Sequence, residues 1–133
     1  MYLLDTDIIS YLLREQPIAP LIRRAAQEPA EHQRMSTITI GEIGFGAYRS
    51  GRPAFYLDRF KTLLAALRVE PFDTDAAWRY AELRAELERR GKPLAEPDLR
   101  IASIALARRL VVVTHNVRHF ARVPGLLVED WTI

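Results

Sequence analysis

The run Leu110-Val111-Val112-Val113 stops at Thr114-His115-Asn116. A short stretch that is apolar at every position suits a strand covered on both faces. Such strands belong to parallel sheets with helices packed on either side. The start of the chain repeats the pattern. Tyr2-Leu3-Leu4 runs into Asp5-Thr6-Asp7, and the apolar residues Ile8, Ile9, Tyr11, Leu12 and Leu13 follow with helical spacing. A strand over 2–5 and a helix over 7–14 are predicted, with Asp and Thr at the junction suited to a helix N-cap. Asp5 then stands at the C-terminal end of a core strand, the edge where open α/β sheets bind ligands. It is either a cap or the first member of a site.

The remaining segments alternate in the same way. A helix is predicted from Leu21 to Gln27, stopped by Pro29, followed by a polar loop over 30–34 and a strand from Met35 to Ile38. Thr39-Ile40-Gly41-Glu42 has the spacing of a capping box for a helix through Tyr48, which Ser50-Gly51 ends. Gly41, Gly44 and Gly46 do not form a dinucleotide fingerprint, and are read as close packing of that helix on a neighbour. Leu57, Phe60, Leu63, Leu64 and Leu67 mark an amphipathic helix, and Arg68 to Phe72 a third strand. The longest helix spans Asp73 to Arg90, with Trp78, Ala81, Leu83 and Leu87 facing inward and Gly91 as its C′ residue. After the loop Gly91–Pro97, an apolar helix begins at Asp98 and runs through Ala107. A helical turn near Arg118–Phe120 and an edge strand over Leu126–Val128 complete the chain. Helices between strands imply crossover units. The expected fold is a single domain over 1–133, a three-layer α/β/α sandwich with a mainly parallel sheet of four or five strands.

Composition narrows the class. At 133 residues, 49% hydrophobic and 27% charged, the chain is globular and able to bury a core. It has no cysteine, so it has neither a disulfide framework nor a thiolate site, which fits a reducing cytoplasm. The apolar start is four residues long and already carries Asp5, too short for a signal peptide, and no stretch approaches membrane-spanning length. Net charge is +2, with Lys61 and Lys92 the only lysines among the basic residues. Arginine suits bidentate phosphate contacts, although an arginine-rich codon usage would give the same composition.

Asp5, Glu42, Asp98 and Asn116 all fall at strand ends or helix starts, positions that this architecture gathers on one rim of the sheet. Each also has a structural explanation: Asp5 or Asp7 as a cap, Glu42 as a capping-box partner, Asp98 against a helix dipole, and Asn116 in a turn. Together they matter more, because three converging carboxylates repel one another and need compensation. Hard oxygen ligands match Mg²⁺ or Mn²⁺, metals that activate water and clamp phosphate groups.

Four segments carry a resemblance. Leu-Leu-Asp5-Thr-Asp, Thr-Ile-Gly-Glu42-Ile-Gly-Phe-Gly-Ala, Pro-Leu-Ala-Glu-Pro-Asp98-Leu-Arg-Ile-Ala, and Val-Val-Thr114-His-Asn116-Val-Arg-His-Phe, taken in order, resemble the PIN-domain ribonucleases, and among them the VapC toxins of toxin–antitoxin pairs. The resemblance spans essentially the whole chain. It implies Mg²⁺- or Mn²⁺-dependent hydrolysis of RNA phosphodiester bonds, with Asp5 and Asp98 as metal ligands and Glu42 completing the acidic set and positioning or deprotonating the attacking water. The fourth acid of the family falls at Asn116. This chain departs from the pattern there, which favours one tight ion, with a second arriving alongside substrate. Thr6 and Thr114 would orient ligands or waters, and Asp7 would serve as a cap or support. Arg118 and Arg122 are candidates for RNA phosphate contacts, and His115 and His119 for protonating the leaving group. The resemblance further implies a homodimer, and a cognate antitoxin that inserts a segment into the acidic groove. The region around Tyr48, Phe55, Tyr56 and Leu57 would serve as partner surface or as core.

Three other readings compete. A phospho-acceptor signalling domain would need a lysine after a late strand, and none follows Val113. A PIN-like module that binds RNA or protein without cleaving would suit Asn116, but need not keep mutually repelling acids. Nothing in the residues themselves separates RNA from DNA as the substrate.

Overall fold

A computed structural model describes all residues, 1–133. Five strands form one sheet: β1 (Tyr2–Leu4), β2 (Gln33–Ser36), β3 (Arg68–Glu70), β4 (Val111–Val113) and β5 (Val128–Glu129). Their order across the sheet is β3-β2-β1-β4-β5, and every pairing is parallel. The central pair is in register as Tyr2↔Val111, Leu3↔Val112 and Leu4↔Val113. The expected α/β/α sandwich is therefore present, with five strands and no antiparallel member.

Seven α-helices cover it: α1 (Thr6–Leu12), α2 (Ala19–Gln27), α3 (Thr37–Arg49), α4 (Pro53–Ala66), α5 (Thr74–Arg89), α6 (Glu96–Arg108) and α7 (Val117–Phe120). Side chains alternate across a strand, so neighbours in β1 and β4 enter opposite cores. Leu3 and Val112 pack with α5 and α6, through Leu83, Leu87, Ile101 and Ala105, and with Phe120. Leu4, Val113 and Met35 pack with Ile8 and Ile9 of α1, Leu21 of α2, Phe60 of α4 and Trp131. All of these residues are buried, and each fully buried Leu or Val stabilises the fold by about 2 kcal/mol. No helix is long and apolar enough to cross a membrane.

Several boundaries differ from expectation. The second strand lies over Gln33–Ser36 rather than Met35–Ile38, because Ser36 ends it as the N-cap of α3, its hydroxyl accepting from Thr39 N at 3.1 Å. A 3₁₀ turn over Ala30–His32 occupies part of the expected loop. The capping box at Thr39–Glu42 does not exist: α3 starts three residues earlier, which leaves Glu42 in its second turn. The third strand stops at Glu70, and the last is shifted to Val128–Glu129.

In α5 the inward stripe is Ala76, Leu83 and Leu87, with Tyr80 half-buried, whereas Ala81 is exposed and Trp78 is 72% exposed. The helix is turned so that its first buried position is Ala76, not Trp78. Gly41, Gly44 and Gly46 are not a close-packing face either, since a Cβ at any of them would meet nothing within 4 Å. Gly91 does end α5, with φ at 68°.

Candidate active site

The register of β1 and β4 sets two side chains next to each other where those strands end. Asp5 N continues the ladder by donating to Val113 O at 2.9 Å. Asp5 caps α1, with Oδ1 accepting from Thr6 N at 2.8 Å, while Oδ2 accepts from the Thr114 hydroxyl at 2.8 Å. Asp5 is therefore a helix cap through one carboxylate oxygen, while the other is turned to the end of β4. Thr114 is fully buried, and its oxygen also accepts from Asn116 N at 2.9 Å.

Asp7 has the supporting place expected of it. It lies in the first turn of α1 facing the end of β4, where Oδ2 accepts from His115 N at 3.1 Å and lies 3.4 Å from the Thr114 hydroxyl. Its charge raises the pKa of both Asp5 and Asp98. The Asp-x-Asp spacing at a helix start was the available signal.

Glu42 reaches the rim from α3 and accepts from the Thr6 hydroxyl at 2.7 Å. Thr6 in turn accepts from Thr39 at 2.9 Å, and Ser36 donates to Thr39 at 3.3 Å. Since each hydroxyl has one proton, the chain runs in one direction, Ser36 to Thr39 to Thr6 to Glu42. Asp98 is half-buried in the first turn of α6, where the helix dipole favours an anion.

The electrostatics of this rim are uncompensated. Burial, then the charge of Asp7, with a smaller contribution from Asp98, push Asp5 up to about 8 against hydrogen bonds from Thr114 and Thr6 that pull it down. Asp98 is also raised, by burial, then Glu42 and Asp7, with His119 opposing. None of Asp5, Asp7, Glu42 and Asp98 forms an ion pair, in a chain with nineteen lysines and arginines. Glu70 is the internal control. It is as buried as Asp5 (2% against 4% exposed), yet Arg34 and Arg108 hold it at 2.6 and 2.7 Å. The fold neutralises one buried acid with arginine and leaves the other facing more acids.

The oxygen-only donor set fits a hard divalent cation. No three of the acids stand close enough to cage an ion unaided. Mg²⁺ does not require that, since it binds through one or two carboxylates and keeps its waters.

The other candidates divide. Asn116 adjoins the set through its backbone, but its exposed carboxamide makes no hydrogen bond and does not cap α7. His119 lies near enough to Asp98 to influence its charge. His115 turns away from the acids, with Nδ1 3.2 Å from Asp130 Oδ2 and 3.0 Å from Thr132 Oγ1. Arg118 is exposed and unpaired, while Arg122 donates to Pro93 O at 3.1 Å and so fastens the loop before α6. Beside the rim, α1, α3 and α4 border a groove of about 660 Å³, lined in part by Leu13, Ile43, Gly46 and Tyr56. Tyr48 is exposed beside it, and Phe55 lies under the Arg52 guanidinium at 3.8 Å.

A parallel sheet with an acid, Asp5, at the end of its central strand, and further acids, Asp7, Glu42 and Asp98, on α1, α3 and α6, is the arrangement of a PIN domain. The family model for the PIN domain matches residues 2–126, and the chain belongs to that family. Its relatives within the family are VapC ribonucleases. It is 36% identical to the tRNA(fMet)-specific endonuclease VapC of Salmonella typhimurium over 98% of this chain and 97% of that protein. The fold matches the crystal structure of DNA-bound VapBC from the same organism with a TM-score of 0.92, at 35% identity over 98% and 97% of the two chains. It matches VapBC2 from Rickettsia felis, bound to a DNA fragment from their promoter, with a TM-score of 0.88 at 30% identity over 98% of each.

Proposed function

We propose that this protein is a divalent-metal-dependent endoribonuclease, the toxin of a VapBC-like toxin–antitoxin pair, acting as one PIN-like domain in the cytoplasm. The observation that carries the reading is Asp5: a buried carboxylate among other carboxylates with no arginine or lysine to balance it, in a protein that pairs Glu70 with three arginines. Membership of the PIN-domain family and the VapC relatives support the same conclusion.

In this reading Asp5 and Asp98 hold Mg²⁺ or Mn²⁺, with Glu42 completing the set and Asp7 adding negative charge. When bound, such a cation lowers the pKa of water and stabilises charge on a phosphodiester oxygen. The chain supplies the rest. Thr114 fixes the rotamer of Asp5, and the hydroxyl chain ending at Thr6 fixes Glu42. Glu42, the exposed acid, orients the attacking water and takes its proton. Asn116 contributes a neutral oxygen where the family carries a further acid. Arg118, exposed and unpaired in α7, contacts the RNA backbone, whereas Thr114 is fully buried behind Asp5 and does not reach substrate. Arg122 is a weaker choice because its guanidinium is engaged with Pro93.

Two partners follow. An antitoxin segment lies in the groove between α1, α3 and α4, which opens beside Glu42 and is lined by Leu13, Ile43 and Tyr56. A homodimer uses further exposed surface.

The deciding experiment is cleavage of small RNA by purified protein with Mg²⁺, Mn²⁺ or EDTA, alongside Asp5→Asn, Asp98→Asn and Glu42→Gln. Discrete fragments that require metal, vanish in both aspartate variants and fall about a hundredfold in Glu42→Gln are expected. A folded wild type that cleaves no RNA in either metal overturns the reading in favour of a binding module.

A further inference from the structure

Asp7, Tyr11 and Arg14 recur four and three residues apart, along α1 and the turn that follows it. At one end Asp7 accepts from His115 N at 3.1 Å, so the stripe begins within the carboxylate set. The His115 ring then meets Tyr11, with centroids 6.2 Å apart and planes at 69°. The Arg14 guanidinium lies over the Tyr11 ring at 4.4 Å from its centre. Imidazole, phenol and guanidinium thus form a ladder leading away from the acids.

The ladder is built rather than loose. Asp130 and Thr132 fix the His115 ring through Nδ1, and Asp130 is itself held by Thr132 N at 2.8 Å and the Thr132 hydroxyl at 2.6 Å. The imidazole nonetheless remains 58% exposed. Arg14 forms no ion pair, because the adjacent Glu15 pairs with Arg52 at 3.7 Å. Arg59 donates to the carbonyls of Leu13, at 2.8 and 3.2 Å, and of Arg14, at 3.3 Å, which fixes the backbone carrying that free cation. Nothing in the cleavage chemistry uses these groups.

We infer that His115, Tyr11 and Arg14 form a stacking subsite for an unpaired nucleobase next to the scissile phosphate. The inference rests on the ribonuclease reading above. Flat aromatic and guanidinium surfaces beside a cation are how proteins hold single-stranded RNA, because every base presents a π-face. The ladder confers a requirement for an unstacked nucleotide at that position, and so a preference for loops and single strands over duplex.

The test uses a single-stranded oligoribonucleotide spanning the mapped cleavage site, with 2-aminopurine substituted in turn at the nucleotides flanking the scissile bond. Binding is measured in EDTA, where the RNA stays intact. Wild type quenches the fluorophore at one flanking position. Arg14→Ala and His115→Ala each weaken binding about tenfold and remove the quenching. Tyr11→Phe retains both, and Tyr11→Leu loses both while keeping an apolar side chain in place. An abasic nucleotide at that position weakens wild-type binding equally and erases the effect of the variants.

Binding by folded variants that matches wild type, or no binding by any form, overturns the subsite. So does a loss that persists on abasic RNA, which would mark Arg14 as a phosphate contact. If wild type cleaves RNA while Arg14→Ala and His115→Ala bind normally, only the subsite falls. If wild type cleaves no RNA, the ribonuclease reading falls and takes the subsite with it.

Discussion

The Thr114 hydroxyl donates to Asp5 Oδ2 at 2.8 Å, across 109 positions of sequence. No local motif brings them together. Leu4 and Val113 are partners in the central strand pair, so the residue after each is delivered to the same place by backbone register. A register slip of one residue would reverse both side chains and dismantle the site.

Thr114→Val keeps the shape and removes that hydrogen bond. Cleavage and Mn²⁺ affinity fall about ten- to a hundredfold, as for other groups that orient a metal ligand. Kinetics and calorimetry check this, and unchanged values would mean that Asp5 does not depend on Thr114 for its orientation.

Asp5 gives a pH signature. Its pKa is about 8 in the folded chain against 3.8 for the free side chain, so between those values the folded state holds a proton that the unfolded state releases. Metal-free protein therefore loses stability as pH rises from about 4 to about 8. Asp5→Asn loses the part of this decline that Asp5 contributes, while Asp98, also raised, keeps the rest, and the two melting curves converge at the acid end. Mn²⁺ requires the ionised carboxylate, so its stabilising effect grows over the same window. Thermal melting in EDTA and in Mn²⁺ across this range tests both statements.

Asn116→Asp adds a carboxylate just beyond the end of β4, where the resemblance implied a fourth acid. The added charge tightens Mn²⁺ binding and lowers the melting temperature in EDTA, because it joins acids that already repel. Identical titrations for variant and wild type would place residue 116 outside the reach of the ion.

The Glu70 cluster predicts an ordering. Glu70 is the only acid that pairs with Arg34, whereas Arg108 also pairs with Asp73. Glu70→Met strands the part-buried Arg34 and costs about 3 kcal/mol. Arg108→Met leaves Arg34 and Glu70 joined and costs less, about 1 kcal/mol. Urea unfolding measures both, and cleavage per folded molecule stays at the wild-type value.

The strands and the positions of Asp5 and Asp98 were legible because uninterrupted apolar runs ending in polar residues have one common meaning in a chain of alternating helices. The structural explanation for Glu42 fails: its spacing from Thr39 imitates a capping box, while the true cap is Ser36 and the partner of Glu42 is Thr6, 36 residues away. The partner of Asp7 could not be named in advance, because it lies just beyond β4, more than a hundred residues away. Trp78 was placed inside on hydrophobicity alone. The phase of α5 is set by Ala76, Leu83 and Leu87, and leaves the indole in water. The glycines of α3 were read as contact points, but they border open space.

The order β3-β2-β1-β4-β5 puts the first strand made in the middle of the sheet, beside one made more than a hundred residues later. During synthesis Asp5 and Asp7 emerge early, but Asp98 and Thr114 do not yet exist. With the site proposed above, a ribosome translating this message carries a nascent chain that lacks half of its cleavage machinery, however long it pauses before residue 98. Destructive capacity arrives abruptly, near the end of translation, when the late strand slots in beside the first. That delay gives an inhibitor already present in the cell its opportunity to meet the enzyme at the moment it becomes dangerous.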